Sequence, residues 1–255
     1  MRVVPVRLSV RIEPGTDVSA LLTRALARRP LRSRIVVVSS KVVAYDQRRV
    51  VRLADVRPTT AGRRLARRFR MSPAFATLIH ADATRIAGGV PGAILTDVRG
   101  QFTVNAGIDA SNAPAGMVIR WPASPWRWAA DLHRRLETIH RGPIGVIVAD
   151  SRCLPGRLGT TGVALAIAGF HGVHDVRGQH DLYGHPLRLT RMNVADDLAA
   201  AAHLVQGEAD ERTPLCILTG APVRFTHIPA VRLTRALQIA PRSDLFASLH
   251  ATRVR

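Results

Sequence analysis

Residues 3–14, "VVPVRLSVRIEP", alternate apolar and polar side chains, the period-two pattern of a half-buried strand. "GTDVSALLTRALARR" then places Leu21, Leu22 and Leu26 on helical spacing, with Thr16 or Asp17 available as a cap. Two runs behave differently. "RIVVVSS" (34–40) and "PIGVIVAD" (143–150) are continuously apolar, the mark of strands covered on both faces. "TTAGRRLARRFR" and "SPAFATLIHADA" predict short helices, the second opened by Ser72 and Pro73. "GAILTDV" and "QFTVNAG" flank Arg99-Gly100, a two-residue hairpin turn. Further on, "SPWRWAADLHRRLETIH" is an amphipathic helix and "TGVALAIAG" is either a strand or a buried helix. "VADDLAAAAHLVQG" is a helix ending at Gly207, and "PLCILTG" is a late strand.

Helices and strands mix without a regular βαβ repeat, and no internal repeat or linker interrupts them. The expectation is an α+β protein of mixed sheets with flanking helices, read as a single domain over 1–255 with a central lobe at about residues 76–190. The chain has two cysteines, Cys153 and Cys216, and neither a disulfide framework nor a CxxC metal pair. The N-terminus lacks the continuous apolar segment of a signal peptide, and no run of about 18 apolar residues marks a membrane span. A cytoplasmic protein is therefore expected.

The net charge of +19 invites a nucleic-acid partner. The basic residues are scattered, however, and the densest run, "GRRLARRFR", reads as one polar helix face. An aromatic content of 4% is low for base-stacking platforms. An anionic small-molecule substrate accounts for the charge equally well. Of the 37 basic residues, only Lys41 is a lysine. It stands just past an apolar strand, either as a compact charge for phosphate or as a surface residue outside the arginine bias; the second reading is preferred.

Three polar stretches sit at the ends of apolar runs, where binding groups are commonly placed. They are "SSK" (39–41), "NAGIDASN" (105–112) and "ADSRCLPGRLGTTG" (149–162). "NAGIDASN" reads first as an Asx-rich loop, and a single exposed Asp150 is unremarkable. Brought together, Asp109 and Asp150 would make an oxygen-rich site for a hard cation such as Mg²⁺ or Mn²⁺ bridging to phosphates. In "PGRLGTTG", glycines open the backbone to an anion and Arg157 offers a bidentate fork, although the P-loop spacing is absent. His174, His180 and His185 match no zinc spacing. Glu208, just beyond a helix end, reads as a third metal ligand or as a solvated charge. No GxSxG, HExxH or Rossmann GxGxxG occurs.

Four segments together resemble the coenzyme F420:L-glutamate ligase family. They are "VVVSSKVV" with "GRRLAR" after it, "NAGIDASN", "GVIVADS…GRLGTTGVALAIAG" and "DVRGQHDLYGHPLRLT…VADDLAAAAHLVQGEAD", spanning about residues 35 to 220. The resemblance implies a butterfly-shaped homodimer of α+β subunits. It implies GTP as co-substrate, two divalent cations (Mg²⁺ or Mn²⁺) and K⁺. The family joins L-glutamate to the phospholactate carboxylate of the deazaflavin F420 precursor, then adds a second glutamate through a γ-linkage. By position, Asp109 and Asp150 would be metal ligands in the catalytic centre, with Ser151 beside the metal where the family has threonine. Asn112 would contact GTP, and Glu208 would lie at the nucleotide or the metal. Ser40, Lys41 and Gly207 fall in the nucleotide-binding stretches, and Arg157, Asp181 and Tyr183 fall in matching motifs. Residues 8–11, "LSVR", depart from a family "GIPE"; Tyr45 stands where the family has a GTP-contacting lysine, and Leu154 where it has arginine. These departures keep open a related amide ligase with another acceptor or nucleotide, or a non-catalytic binder of anionic ligands or nucleic acid.

Overall fold

A computed structural model describes residues 1–246. The two continuous apolar runs lie side by side in it. Strand β2 (Arg34–Ser39) pairs in parallel with β8 (Ile144–Cys153). Around them a five-stranded sheet is ordered β1–β12–β2–β8–β9, with β1 (Arg2–Val6), β12 (Leu215–Thr219) and β9 (Thr160–Ala168) all antiparallel to their neighbours. Side-chain alternation sends Val36, Val38, Val146 and Val148 to one face, and Ile35, Val37 and Ile147 to the other. Helices α1 (Val18–Ala27), α2 (Ser40–Asp46) and α5 (Pro125–His140) cover the first face through Leu22, Leu26, Val43, Leu132 and Leu136. Helices α6 (Val194–Gln206) and α7 (Ala230–Arg235) cover the second through Leu198, Ala199, Ala202 and Leu233. Burial of both faces is why these strands show no polar alternation.

A second set of elements extends the first core through Phe69, Ile79, Ile94, Ile108 and Trp121. Strand β3 (Val50–Arg52) pairs with β7 (Met117–Ile119), and β4 (Arg85–Val90), β5 (Ala93–Val98) and β6 (Gln101–Val104) form an antiparallel meander. The packed helices α3 (Thr60–Phe69) and α4 (Pro73–Asp82) lie between β3 and β4 in the chain. A two-residue ladder of β10 (His174–Asp175) and β11 (Arg191–Met192) closes the base of a mostly exposed loop over 176–190. The architecture is α+β with mixed sheets and flanking helices. Arg99 and Gly100 turn the β5–β6 hairpin with φ of 56° and 82°, the left-handed pair that a two-residue hairpin requires.

Three local expectations change. The N-terminal strand ends at Val6, opposite Leu215, and its last tie beyond that pair is the Leu8 N–H to the Arg212 carbonyl at 2.9 Å. Residues 7–13 then leave the sheet edge. "SSKVVAYD" does not merely end a strand: Ser40–Asp46 forms α2, with five of its seven residues buried. Asp150 is not at the tip of its strand either, because β8 runs on to Cys153 in an antiparallel ladder with β9.

Helix α6 packs on β9 at backbone distance. A Cβ on Gly162 would lie 2.4 Å from the Ala199 carbonyl oxygen and 2.8 Å from the His203 Cβ. Gly162→Ala is expected to lower unfolding free energy by about 1–3 kcal/mol, the usual range for overpacking, as measured by urea denaturation. Wild-type stability in that variant would contradict the close α6–β9 contact.

Candidate active site

The site begins where the parallel pairing stops. The last paired residues are Ser39 and Ala149; β2 turns into α2 while β8 continues, with a register shift between Val148 and Ala149. Such irregularities re-aim side chains, and they recur beside active sites. Asp150 is the second residue beyond the shift. Its Oδ1 accepts a hydrogen bond from Ser40 Oγ at 2.8 Å, and its Oδ2 accepts one from Trp121 Nε1 at 2.6 Å. Burial raises the Asp150 pKa above the usual carboxylate value, against the opposing pull of those two bonds. Among the described residues, no cation lies within 4.0 Å of this carboxylate.

The Trp121 ring reaches Asp150 across Gly107, where an added Cβ would fall 2.5 Å from the indole. Gly107 also carries a φ of +70°. It belongs to the "NAGIDASN" loop, which is more than a run of turn formers. Asn105 Oδ1 accepts the Ile94 N–H at 2.8 Å, and Thr96 Oγ1 accepts the Ala106 N–H at 2.9 Å. These bonds hold Asn105 and Ala106 at φ of 53° and 56°. The loop is then fixed to α2 at two points. Lys41 Nζ lies 2.7 Å from Asp109 Oδ2 and donates to Ser111 Oγ at 2.6 Å. One helical turn later, Tyr45 Oη donates to the Asn112 carbonyl at 3.1 Å. Burial works against the charge on Asp109, yet the Lys41 and Ser111 hydrogen bonds hold its pKa below the usual value. Lys41 is therefore not a loose surface charge.

A third group comes from α6. Gly207 caps the helix, and Glu208 follows it. Glu208 Oε1 lies 2.7 Å from His203 Nε2 and accepts from Thr160 Oγ1 at 3.0 Å. Burial alone would raise its pKa; hydrogen bonds from His203, Thr160 and Ser151 bring it below the usual carboxylate value.

These groups surround two cavities with a common wall. The larger, of about 520 Å³, is bounded by residues 8 and 10–13, by Tyr45, Asn112 and His203, and by Gly207 and Glu208. The smaller, of about 250 Å³, is bounded by Ser40, Asn105, Asp109, Trp121 and Arg152. Lys41, Asp150 and Ser151 line both. Of the residues expected at a site, Ser40, Lys41, Asp109, Asn112, Asp150, Ser151, Gly207 and Glu208 thus come together. Arg157 does not: it lies on the exposed tip of the β8–β9 hairpin and lines neither cavity. Asp181 and Tyr183 stand on the exposed 176–190 loop, outside both cavities. The "LSVR" segment lines the larger cavity even though its residues are unusual.

Three contributors escaped the sequence reading. Arg152 had a signal, since it lies two residues after Asp150 on one strand and so shares its face. His203 had one too, one turn before Gly207 on α6. Trp121 had none; it arrives through the β3–β7 pairing.

The donor chemistry fits a hard cation in one specific way. Asp109, Asp150 and Ser151 offer oxygen only, and among the described residues Asp150 has no cation within 4.0 Å. No group of three or more His, Cys, Asp or Glu side chains suited to holding a metal occurs among the described residues. A site of this kind takes Mg²⁺ or Mn²⁺ through one or two carboxylates and relies on substrate phosphates for the rest.

The F420-0:gamma-glutamyl ligase family model matches residues 7–220. The coenzyme F420:L-glutamate ligase of Methanopyrus kandleri is 34% identical over 247 residues, covering 96% of this chain and 97% of the relative. The protein of the same name from Methanothermobacter thermautotrophicus is 33% identical over 212 residues, covering 82% and 84%. That from Halobacterium salinarum is 34% identical over 214 residues, covering 81% and 82%. No helix among the described residues is long and apolar enough to cross a membrane. With a family model spanning most of its length and relatives at 33–34% identity aligned over 81–96% of it, the chain belongs to the F420-0:gamma-glutamyl ligase family of ligases.

Proposed function

We propose that this protein joins L-glutamate to the phospholactate carboxylate of the F420 precursor, first by an amide bond and then by a γ-linked addition, at the cost of GTP. The observation that carries this reading is the wall of Lys41, Asp150 and Ser151 shared by two cavities, with Asp109 held beside it. A ligase must bring an activated carboxyl group and an amine to one point, and a shared wall is such a point.

A carboxylate is a poor electrophile, so it must first be activated. Attack of the acceptor carboxylate oxygen on the γ-phosphorus of GTP breaks the bond to the β-phosphate oxygen and releases GDP. The resulting acyl phosphate is attacked at carbon by the glutamate amine. The C–N bond forms, inorganic phosphate leaves with the C–O electron pair, and the amine proton passes to solvent. Neither step requires a side-chain nucleophile. The work of the chain is to orient the reactants and to balance the phosphate charge.

In this reading Asp109, Asp150 and Ser151 hold the divalent cations, Mg²⁺ or Mn²⁺, whose chemistry is the neutralisation of phosphate oxygens. K⁺ is a further cation of the reading. Asn112, Gly207 and Glu208 border the nucleotide in the larger cavity. Lys41 lies on the wall between, and Ser40 positions Asp150 by donating to it. Arg157, exposed on the hairpin tip, is given no part in the catalytic centre. A reaction fed by nucleoside triphosphate and free glutamate belongs in the cytoplasm. A homodimer fits the exposed Leu182, Tyr183 and Leu189 of the 176–190 loop, an apolar surface in need of cover.

One observation favours a second reading, a nucleotide other than GTP. Tyr45 replaces a family lysine, and its hydroxyl is already engaged with the Asn112 carbonyl. A neutral, occupied group there changes what the larger cavity recognises.

Incubation with GTP, Mg²⁺ or Mn²⁺, L-glutamate and the non-glutamylated precursor should give mass gains of one or two glutamyl units. Turnover with ATP but not GTP would select the second reading, and absence of product with every nucleotide would sink both. Asp109→Asn and Asp150→Asn should each lower turnover at least about 10²-fold, as expected for lost electrostatic stabilisation. Asp150→Asn should nonetheless fold, because a desolvated carboxylate is removed; near-normal turnover in either variant contradicts its metal role. Sedimentation equilibrium should return twice the chain mass, and a single-chain mass at micromolar concentration would remove the dimer.

A further inference from the structure

Arg152 is the unexplained group of the smaller cavity. It leaves β8 on the same face as Asp150, two residues earlier. Its guanidinium stands over the Trp121 ring, 5.8 Å from the centroid, and its Nη2 donates to Gln101 Oε1 at 3.1 Å. Its Nε is buried without a hydrogen-bond partner. Among the described residues, no carboxylate lies within 4.0 Å of it. The other cations lining this cavity are committed: Lys41 to Asp109, and Arg120 to Asp82. A desolvated guanidinium with an idle donor carries a penalty that an arriving anion would remove.

We propose that the smaller cavity seats the incoming L-glutamate, with Arg152 gripping one of its carboxylates. This rests on the ligase reading above and adds to it the place and the recognition element of the amino acid. Three features point the same way. A planar guanidinium that lines the cavity with no carboxylate within 4.0 Å has the fork geometry that fits a carboxylate in two parallel bonds. The volume of about 250 Å³ suits a free amino acid, whereas the deazaflavin acceptor and the nucleotide need the larger space of about 520 Å³. The cavity also opens on the Lys41–Asp150–Ser151 wall, so an amino acid held by Arg152 presents its amine towards the activated carboxyl group. Trp121 then has two tasks, since its ring supports Arg152 while its N–H holds Asp150.

The test uses Arg152→Gln and Arg152→Lys, the second keeping charge and bulk so that the fold survives. L-Glutamate binding is measured by calorimetry with Mg²⁺ and a non-hydrolysable GTP analogue present, beside the KM values for glutamate and GTP. Wild-type protein should bind L-glutamate, and both variants should weaken it about 10- to 100-fold, the value of a charge-assisted bond. Nucleotide affinity should change less than about twofold. Unchanged glutamate affinity in a folded Arg152→Lys protein overturns the proposal. So does a loss that falls on the nucleotide instead, or a wild-type chain that binds no glutamate. Arginine-dependent glutamate binding without product formation would sustain this site while refuting the ligase reading, so the two failures are distinguishable.

Discussion

The structure around the site depends on one awkward fact, a carboxylate buried at the end of a parallel strand pair. Asp150 is largely desolvated, and only neutral donors, the Ser40 hydroxyl and the Trp121 indole N–H, reach it directly. Both donors constrain the chain around them. Ser40 must stand at the first turn of α2, which forces β2 to end at Ser39. Trp121 must lie flat against residue 107, which admits no side chain. A buried carboxylate without a counter-charge is retained against a penalty of several kcal/mol unless something balances it. The remaining charges of the site are arranged around that deficit: Arg152 two residues along the strand, and Lys41 one residue after Ser40.

The net charge of +19 acquires a local meaning from this arrangement. Most arginines are exposed and scattered, but the cations that face the smaller cavity are sorted by partner. Lys41 is paired with an aspartate, Arg120 is paired with another, and Arg152 is left with an open donor. A guanidinium and a carboxylate separated by one residue on a strand, each acting on the other without direct contact, form a dipolar floor. Such a floor suits substrates that carry charges of both signs, which is the description of an amino acid.

Much of this was legible in the sequence because the relevant signals are local. Continuous apolar runs marked the two central strands, Arg99-Gly100 marked the hairpin, and "VADDLAAAAHLVQG" marked the helix that delivers Gly207 and Glu208. Asp109 and Asp150 could be named from loop and strand ends. What escaped was set by tertiary contact. Helix α2 is short, and its β-branched residues carry little helix propensity; packing on the sheet makes it a helix. Trp121 looked like one aromatic among few, since nothing local says that β7 carries it to Asp150. Arg157 drew attention through its glycine neighbours, yet the hairpin lifts it away from both cavities. The strand that runs past Asp150 to Cys153 gave Arg152 its inward face, and a reading that stopped the strand at Asp150 could not see it.

Helix geometry also sets how α2 holds the loop that bears Asp109. Lys41 and Tyr45 lie four residues apart on α2, so they share a face and are offset by about one turn, roughly 5.4 Å. That face carries the one lysine of the chain on the turn nearer the strand and a tyrosine on the next. Lys41 therefore places its charge on the wall between the two cavities, where it holds Asp109 at 2.7 Å. Tyr45 takes over the mechanical half of the task, tying the Asn112 backbone to the helix with a neutral bond. Charge and tether, which one long cationic side chain can provide together, are divided between two residues. The loop bearing Asp109 is then anchored at both ends of one helical turn.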